Sequence, residues 1–150
     1  MAAYEQTRTF LFTDLEGSTQ LWEEHPDAMR DALAVHDELL RRSVATNGGT
    51  VVKSTGDGLL ATFESATAAV RAAVDAQRAL TDTRWRPGVE LRVRMGLHQG
   101  EATERDGDWF GPDVNRAARI TAAAHGGQLL CTEPVAQRAR EQVDGVDAID

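Results

Sequence analysis

The sequence predicts a single α/β domain over residues 1–150, in which helices pack on a mixed, mainly antiparallel sheet of the ferredoxin-like βαββαβ type. The first observation is the segment order, because runs of aromatic and β-branched residues alternate with segments of helical periodicity as βαββαβαβα. The second is a hairpin signal, since two β-rich runs are separated only by residues 54–58, STGDG. The third is the length, because 150 residues without an obvious linker suit one core.

The N-terminal third predicts one strand and two helices. Residues 8–13, RTFLFT, are dominated by aromatic and β-branched side chains, which indicates a buried strand. Ser18 or Thr19 can cap the helix that follows, and Pro26 interrupts it. Apolar side chains recur at helical spacing over residues 27–46, and a glycine pair ends that helix.

The central third contains the predicted hairpin, a helix and a further strand. Residues 50–53 and 59–63 form the two arms of the hairpin. Residues 65–82 are rich in alanine and keep one apolar stripe, which predicts a helix. In residues 89–98, VELRVRMGLH, every second side chain is apolar, so this segment is predicted to be a strand with one face inward.

The C-terminal third begins with a polar segment, residues 101–108, which is predicted to be a loop. Residues 112–124 form a helix, because Pro112 suits its first position and an acidic residue follows. Residues 128–131 are predicted to be a short strand and residues 133–142 a last helix.

Composition and charge limit the possible functions. The net charge of −8 argues against a nucleic-acid backbone as a partner. The only cysteine, Cys131, cannot form an internal disulfide, and the sequence shows neither a signal-peptide pattern nor an apolar stretch long enough to span a bilayer. We therefore expect a soluble, cytoplasmic protein without a membrane segment.

Two aspartates are candidate metal ligands. Asp14 follows a buried strand and Asp57 lies in the hairpin turn, so both reach one edge of the sheet if that strand lies beside the hairpin. Carboxylates without accompanying histidine or cysteine suggest Mg²⁺ or Mn²⁺, with substrate phosphates completing the coordination shell. For Asp57 alone the alternative is an ordinary turn residue, since aspartate favours turns.

The segment after Asp14 is a candidate phosphate site. A glycine turn that enters a helix presents free N–H groups, which favour a polyphosphate. The segment is not a P-loop, because the chain contains no Gly-Lys-Ser/Thr triplet. A plain helix cap is the alternative interpretation.

Three polar side chains are candidates for substrate contacts. Lys53 is the only lysine beside 15 arginines, and a lysine offers a compact charge that suits one ring nitrogen of a base. Asn115 and Arg119 lie four residues apart, therefore on one helix face, where they could hold a ribose and a phosphate. The alternatives are a solvated lysine and a surface ion pair of Arg119.

Together these residues resemble the catalytic domain of class III nucleotidyl cyclases, the adenylyl and guanylyl cyclases, from about Thr9 to Arg140. Three motifs occur in the family's order: Phe-Thr-Asp-x-x-Gly-Ser-Thr at 12–19, Lys-x-x-Gly-Asp-Gly at 53–58 and Gly-x-x-Val-Asn-x-Ala-Ala-Arg at 111–119. Each motif is weak alone, and the ordered set is specific.

The resemblance implies an adenylate cyclase that converts ATP into 3′,5′-cyclic AMP and pyrophosphate. Asp14 and Asp57 would hold two divalent ions, Mg²⁺ or Mn²⁺. Backbone N–H groups would cradle the triphosphate, and they belong to Leu15, Glu16, Gly17, Ser18 and Thr19.

The resemblance also implies the residues that contact the nucleoside. Lys53 would donate to adenine N1 and Asp108 would accept from the adenine amino group. Asn115 would orient the ribose, and Arg119 would stabilise charge that develops at the α-phosphate. In this family the metal ligands and the nucleoside-binding residues come from different subunits, so a homodimer would carry two composite sites.

Two departures from the family pattern keep alternatives open. The excursion at residues 101–108, which grips the partner subunit in the family, is short, as in bacterial cyclase-like domains. The family also continues past the equivalent of Ile149 with a strand and a triphosphate-binding lysine, which we expect this chain to lack. One alternative is a weak or inactive nucleotide-binding regulatory module of a larger signalling protein. The other is a guanylate cyclase, against which Lys53 and Asp108 argue.

Overall fold

The computed structural model describes residues 5–140 and 147–149. Their helices and strands are, in chain order, β1 (Glu5–Leu15), α1 (Ser18–Glu24), α2 (Pro26–Thr46), β2 (Thr50–Thr55), β3 (Gly58–Phe63), α3 (Ala66–Asp82), β4 (Val93–Arg105), β5 (Asp108–Phe110), α4 (Pro112–Ala123), β6 (Leu129–Thr132), α5 (Glu133–Ala139) and β7 (Asp147–Ile149).

The strands of the described residues form one sheet in the order β2-β3-β1-β4-β6-β7, with β5 paired to β4. Strand β1 runs antiparallel to both of its neighbours, β3 and β4, whereas β6 and β7 join the sheet in parallel. The first four strands have the order and directions of a ferredoxin-like βαββαβ core. The predicted fold class, a mainly antiparallel α/β sandwich, is confirmed.

Alternate side chains of β1 face two different layers. Leu11 and Leu15 belong to the core beneath α2, α3 and α5, which also contains Val70 and Val135. Phe10 belongs to a smaller cluster on the opposite face. That second cluster lies beneath α4 and contains Leu60, Ala102, Trp109, Val114 and Ala117, with Phe12 and Val52 packed against it.

The largest departure from the sequence prediction is at residues 101–108, where a loop was expected. Strand β4 continues to Arg105 and returns as β5, so this segment is a hairpin. Pairing with β1 extends from Val93 to Thr103, which means that backbone hydrogen bonds rather than apolar alternation make these residues a strand. The turn is Asp106-Gly107 with φ of 52° and 81°, as a two-residue type I′ turn requires.

Other boundaries differ less. The strand predicted over residues 89–98 begins at Val93, although Val89 and Leu91 are buried as the alternation predicted. Strand β7 was not predicted. The last helix ends at Ala139, and residues 141–142 of its predicted span lie outside the described residues. Within the described part of the chain, no helix has the length and apolarity needed to cross a membrane.

Candidate active site

Asp14 lies near the C-terminal end of β1, on the α4 side of the sheet, and is paired in register with Arg94 of β4. The Arg94 Nε–H donates to Asp14 Oδ1 at 2.6 Å, and the two side chains keep 30% and 36% of their surface exposed. Arg94 therefore balances the charge of an acid placed at the end of a buried strand. Arg94 is not recognisable from the sequence as a site residue, because in an alternating strand it has the pattern of a solvated outward charge.

The hairpin between β2 and β3 brings Asp57 to the same end of β1. Gly58 lies directly against this strand, since a Cβ built there would meet the Thr13 carbonyl oxygen at 1.9 Å and the Asp14 Cα at 3.2 Å. The Leu59 N–H also donates to Thr13 Oγ1 at 3.1 Å. Asp57, one residue before Gly58, therefore lies next to the Asp14 backbone, as the pairing of β1 with the hairpin predicts.

The turn between β1 and α1 differs in detail from the prediction. Gly17 is the N-cap of α1 in the left-handed conformation, with φ of 68°, and no side chain caps the helix. The expectation that Ser18 or Thr19 caps it is wrong, because the helix already begins at Ser18. The Glu16 N–H donates to the Arg92 carbonyl at 2.9 Å and is therefore occupied within the sheet.

The first turn of α1 contains free backbone N–H groups. The first backbone bond of α1 joins the Leu21 N–H to the Gly17 carbonyl at 3.2 Å. The N–H groups of Ser18, Thr19 and Gln20 precede that bond and have no partner of this kind within the helix. These three amides are therefore able to bind an anion.

A β-bulge directs Lys53 toward the α4 side of the sheet. The register of β2 against β3 shifts between Val51, which pairs with Ala61, and Lys53, which pairs with Leu60. Without the extra residue in β2, Lys53 would pair with Leu59 instead of Leu60. Its side chain would then lie on the opposite face of the sheet, because side chains alternate along a strand. Leu60 belongs to the cluster beneath α4, so the bulge places Lys53 on the face that carries β5 and α4.

The side chains of Lys53 in β2 and Asp108 in β5 form an ion pair. The Lys53 Nζ donates to Asp108 Oδ2 at 3.1 Å, and the other carboxylate oxygen accepts the Trp109 N–H at 2.7 Å. The hydrogen bond from Trp109 and then that from Lys53 lower the pKa of Asp108 below its ordinary value. Asp108 is therefore ionised, and both side chains remain partly exposed.

Asn115 and Arg119 lie on the exposed face of α4, opposite its buried residues Val114, Ala117 and Ile120. Neither side chain has a hydrogen-bond or ion-pair partner among residues 5–140 and 147–149. The alternative interpretation of Arg119, a surface ion pair, is thus absent from that part of the chain. As far as the described residues go, both groups can contact a ligand or a second protein surface.

The donor set suits a divalent ion that is shared with a ligand. Asp14 and Asp57 supply hard oxygen donors at one end of the sheet, and within residues 5–140 and 147–149 no group of three or more histidine, cysteine, aspartate or glutamate side chains could hold a metal alone. Mg²⁺ and Mn²⁺ accept one or two carboxylates with phosphate and water oxygens, so these residues fit such an ion. An ion at Asp14 would compete with Arg94 for its carboxylate.

Comparison with known families places almost the whole chain in one group. The family model of the adenylate and guanylate cyclase catalytic domain matches residues 2–147. An adenylate cyclase of Neurospora crassa is 39% identical over 149 positions, covering 83% of this chain and 6% of the relative. An uncharacterized protein of Mycobacterium bovis is 39% identical over 126 positions, covering 83% of this chain and 42% of the relative. The chain therefore spans a small part of its fungal relative and less than half of the mycobacterial one.

Solved structures agree with that result. A structure of adenylate cyclases from Trypanosoma brucei in their monomeric state superposes with a TM-score of 0.84 at 29% identity, covering 92% of this chain and 80% of the other. An adenylate/guanylate cyclase/hydrolase from Silicibacter pomeroyi superposes with a TM-score of 0.82 at 32% identity, covering 94% and 83%. Both sequence alignments cover 83% of this chain, but the fungal one has 149 positions and the mycobacterial one has 126. The fungal relative therefore has additional residues within the aligned region.

Proposed function

Because the chain belongs to the family of adenylate and guanylate cyclase catalytic domains, we propose that it is an adenylate cyclase. It converts ATP into 3′,5′-cyclic AMP and pyrophosphate with two Mg²⁺ or Mn²⁺ ions, at sites shared between two copies of the chain. The observation that favours ATP over GTP is the pair formed by Lys53 and Asp108.

The two members of this pair have complementary hydrogen-bonding roles. A lysine ammonium only donates, and the ionised carboxylate of Asp108 only accepts. The edge of adenine offers an acceptor at N1 and a donor at its amino group, whereas guanine offers a donor at N1 and an acceptor at O6. Lys53 and Asp108 therefore match adenine and oppose guanine at the same edge.

The metal and phosphate half of the site is built from the end of β1 and the β2–β3 turn. Asp14 and Asp57 would hold the ions, which lower the pKa of the ribose 3′-hydroxyl and neutralise the triphosphate when bound. Asp14 would give up its contact with Arg94 to hold an ion, and the amides of Ser18 and Thr19 would bind phosphate oxygens. Of the five residues expected to cradle the phosphate, Glu16 is excluded as an amide donor by its bond to Arg92.

The other half of the site is proposed to come from a second copy of the chain. Asn115 orients the ribose, and Arg119 stabilises the charge that develops on the α-phosphate. Support comes from their exposure on α4 and from the absence of side-chain partners within the described residues.

Since ATP is the substrate, the proposed site of the reaction is the cytoplasm. Residues 1–150 are proposed to act as one catalytic domain.

A regulatory nucleotide-binding module is the second candidate. It is favoured by the β4–β5 turn, which has only the two residues Asp106 and Gly107 where the family carries a longer arm for its partner. A short arm weakens dimerisation, and a shared site needs the dimer. Metal-dependent ATP binding by calorimetry without product would support this candidate.

A turnover assay tests the proposal directly. The protein is incubated at high concentration with ATP and Mn²⁺, with GTP in parallel, and cyclic nucleotides are quantified. We expect cyclic AMP to form, and to fall about 10³-fold in Asp57→Ala because several kcal/mol of charge stabilisation disappears with the metal ligand. No cyclic AMP above the Asp57→Ala control would overturn the proposal, and a preference for GTP would replace it with a guanylate cyclase.

Mixing two inactive variants tests the shared site. Asp57→Ala damages the metal half and Arg119→Ala the other half, so a mixed dimer keeps one intact site. An equal mixture that exchanges freely should recover about a quarter of wild-type activity, since half of the dimers are mixed and each has one working site. Each variant alone is the control, and a mixture no more active than either variant would contradict shared sites.

A further inference from the structure

Helix α4 lies along β4 and contacts it closely at two glycines. A Cβ built on Gly100 would meet the Asp113 Cγ at 2.2 Å, and one built on Gly96 would meet the Thr121 Oγ1 at 2.4 Å and its backbone nitrogen at 2.6 Å. Eight helical residues rise about 12 Å and four strand residues about 13 Å, so the two spacings match. The helix is therefore held at both of its ends.

The N-terminal contact is made by a buried histidine. His98 of β4 is 7% exposed, and its Nε2–H donates to Asp113 Oδ1 at 2.7 Å, because a carboxylate only accepts. On its other side, His98 Nδ1 and the buried Thr132 Oγ1 are 2.8 Å apart. The imidazole thus joins the end of β6 to the first turn of α4 and cannot rotate without breaking one of these bonds.

Asp113 uses its second oxygen for the sheet as well. Its Oδ2 accepts the Glu101 N–H at 3.1 Å, so both carboxylate oxygens bind β4 residues. The N-cap of α4 is Gly111, which offers no side-chain cap. The carboxylate in the first turn therefore anchors the helix to the strand, and it also lies favourably toward the positive end of the helix dipole.

The C-terminal contact is different in kind. The Thr121 hydroxyl has one proton, which it shares between the Phe12 carbonyl at 3.2 Å and the Ala117 carbonyl of its own helix at 2.9 Å. This contact sets how closely α4 approaches the sheet. The bonds of Asp113 to His98 and Glu101 additionally fix the rotation of the first turn about the helix axis, because they come from a side chain with two defined partners.

We propose that His98 and Asp113 are positioning residues, which set the rotation and axial position of α4 and so place Asn115 and Arg119 for the reaction. Asn115 follows Asp113 by two residues and Arg119 by six, and both lie on the side of the helix away from this anchor. This inference rests on the proposed cyclase function for its kinetic consequences. In this role His98 and Asp113 act through the helix and not by contact with the substrate.

A small movement of α4 is enough to matter. An arginine head group lies roughly 8 Å from the helix axis, so a rotation of about 10° displaces it by more than 1 Å. A misplacement of about 1 Å at a reacting centre can lower the rate about 10²-fold. Removal of the anchor should therefore lower kcat while nucleotide binding, which rests on the metal and base contacts, changes little.

The experiment compares Asp113→Ala with Asp113→Asn and with a control of matched stability. Asp113→Ala should lower kcat about 10²-fold and leave the KM for ATP within about threefold. Asp113→Asn should recover about tenfold of that loss, because the amide oxygen can still accept the Glu101 N–H, and the amide NH2 can donate to His98 Nε2 once the imidazole carries its proton on Nδ1 beside Thr132 Oγ1. Ile120→Val, a buried substitution on the same helix, should change kcat less than twofold while also lowering Tm.

A double-variant cycle tests whether the two residues act together. The double variant His98→Ala/Asp113→Ala should have a kcat no more than about twofold below that of the lower single variant, since both changes remove the same anchor. Additive losses, or an equal fall in kcat for Ile120→Val at a similar Tm, would overturn the proposal. If Asp113→Ala does not fold, Asp113→Asn and Thr132→Val, which loosens only the histidine, should still lower kcat with unchanged KM.

A second measurement separates this inference from the proposed activity. Amide hydrogen exchange in the first two turns of α4 should become about tenfold faster in Asp113→Ala, with exchange at Met95 and Leu97 of β4 unchanged. An absence of turnover in the wild-type protein would overturn the cyclase proposal and leave this readout intact. Exchange in α4 that is no faster than in Ile120→Val would overturn the anchor itself.

Discussion

Two β-hairpins each bring a carboxylate to the candidate site, and different forces hold them. The β2–β3 turn presents Asp57, and the β4–β5 turn presents Asp108. Every residue of β3 is buried, and Gly58 lies so close to the Thr13 carbonyl that no side chain fits between them. Backbone contact with a central strand thus determines where Asp57 lies.

The second hairpin depends on side chains instead. Strand β5 has three residues, and its turn is exposed. Its anchors are the Trp109 ring, packed edge-on against Phe10 with centroids 5.7 Å apart and covered by the Arg8 guanidinium, and the ion pair of Asp108 with Lys53. The comparison shows that the proposed metal ligand is placed by rigid packing, whereas the proposed base-contacting acid is placed by an aromatic contact and a charge pair.

The largest effect is expected from a methyl group at the first hairpin. Gly58→Ala forces a Cβ into the Thr13 carbonyl, and the backbone of a central strand must move to accommodate it. We expect the free energy of unfolding to fall by about 3 kcal/mol, at the upper end for overpacking. Urea denaturation measures this loss. A change below about 1 kcal/mol would mean that this hairpin is not held by close backbone contact.

Exchange of the base-contacting pair tests the second hairpin. Lys53→Glu combined with Asp108→Cys removes the donor and the acceptor that match adenine. We expect the ratio of kcat/KM for ATP to that for GTP to fall about 10- to 100-fold, the cost of leaving one or two polar groups of adenine unpaired. An unchanged ratio would contradict the base assignment. Asp106→Asn, in the same turn but without contact to Lys53, serves as the control.

A smaller effect is expected at the turn of the second hairpin. Gly107 has φ of 81° and open space around it, so Gly107→Ala meets no atom and loses only the freedom of glycine in the left-handed region. We expect a loss of about 1 kcal/mol, and a smaller one for Gly107→Asn, since asparagine tolerates this conformation. Equal losses for Gly107→Ala and Gly58→Ala would remove the contrast between the hairpins.

The smallest effect is expected from His36, which lies near the first hairpin and makes the free energy of unfolding depend on pH. His36 of α2 is 1% exposed, and its Nε2 is buried without a hydrogen-bond partner among the residues that the structure describes. Burial lowers the pKa of His36 below 6.5, and the nearby carboxylates of Asp37 and Asp57 only partly oppose this shift. The unfolded chain then binds the proton more readily, so this contribution to stability is complete above about pH 6.5 and decreases as the pH falls below it.

Urea midpoints at pH 7.5 and pH 5.5 measure this decrease. His36→Leu should flatten it, because leucine keeps the buried volume and removes the titrating group. Asp108 does not affect this measurement. Because its pKa is lowered, its contribution to stability is complete above its ordinary value of 3.8 and decreases only below that pH. An equal fall in the His36→Leu variant would show that other groups cause the pH dependence.

The first hairpin could be predicted from the sequence and the second could not, for a physical reason. Thr-Gly-Asp-Gly stands between two runs of β-branched and apolar residues, which mark strands by their own side chains. Asp106-Gly107 is an equally good type I′ turn, and it was the available signal for the second hairpin. The polar residues of the flanking segment, EATER, carry no such pattern, because they form a strand through backbone pairing with β1.

The same limit applied to the site. Five candidate residues were predicted from the three motifs, and Asp108 was predicted from the family resemblance by its place before the third motif. The five are Asp14, Asp57, Lys53, Asn115 and Arg119. Arg94 was missed, since only the register of β1 against β4 places it opposite Asp14. The anchor formed by His98 and Asp113 was missed as well, because in the sequence Asp113 has only the pattern of an acid in the first turn of a helix, and its contacts with β4 arise in the folded chain.

By itself, the sequence determined the family, the order of the helices and strands other than β5 and β7, and the chemical groups that a nucleotide site would need. The tertiary structure decided which of these groups meet. Arg94 and Asp14 are 80 residues apart in the chain, and Lys53 and Asp108 are 55 apart. Their contacts follow from strand register and from one bulge at Val52, and register is set by hydrogen bonds between distant segments that local side-chain patterns do not encode.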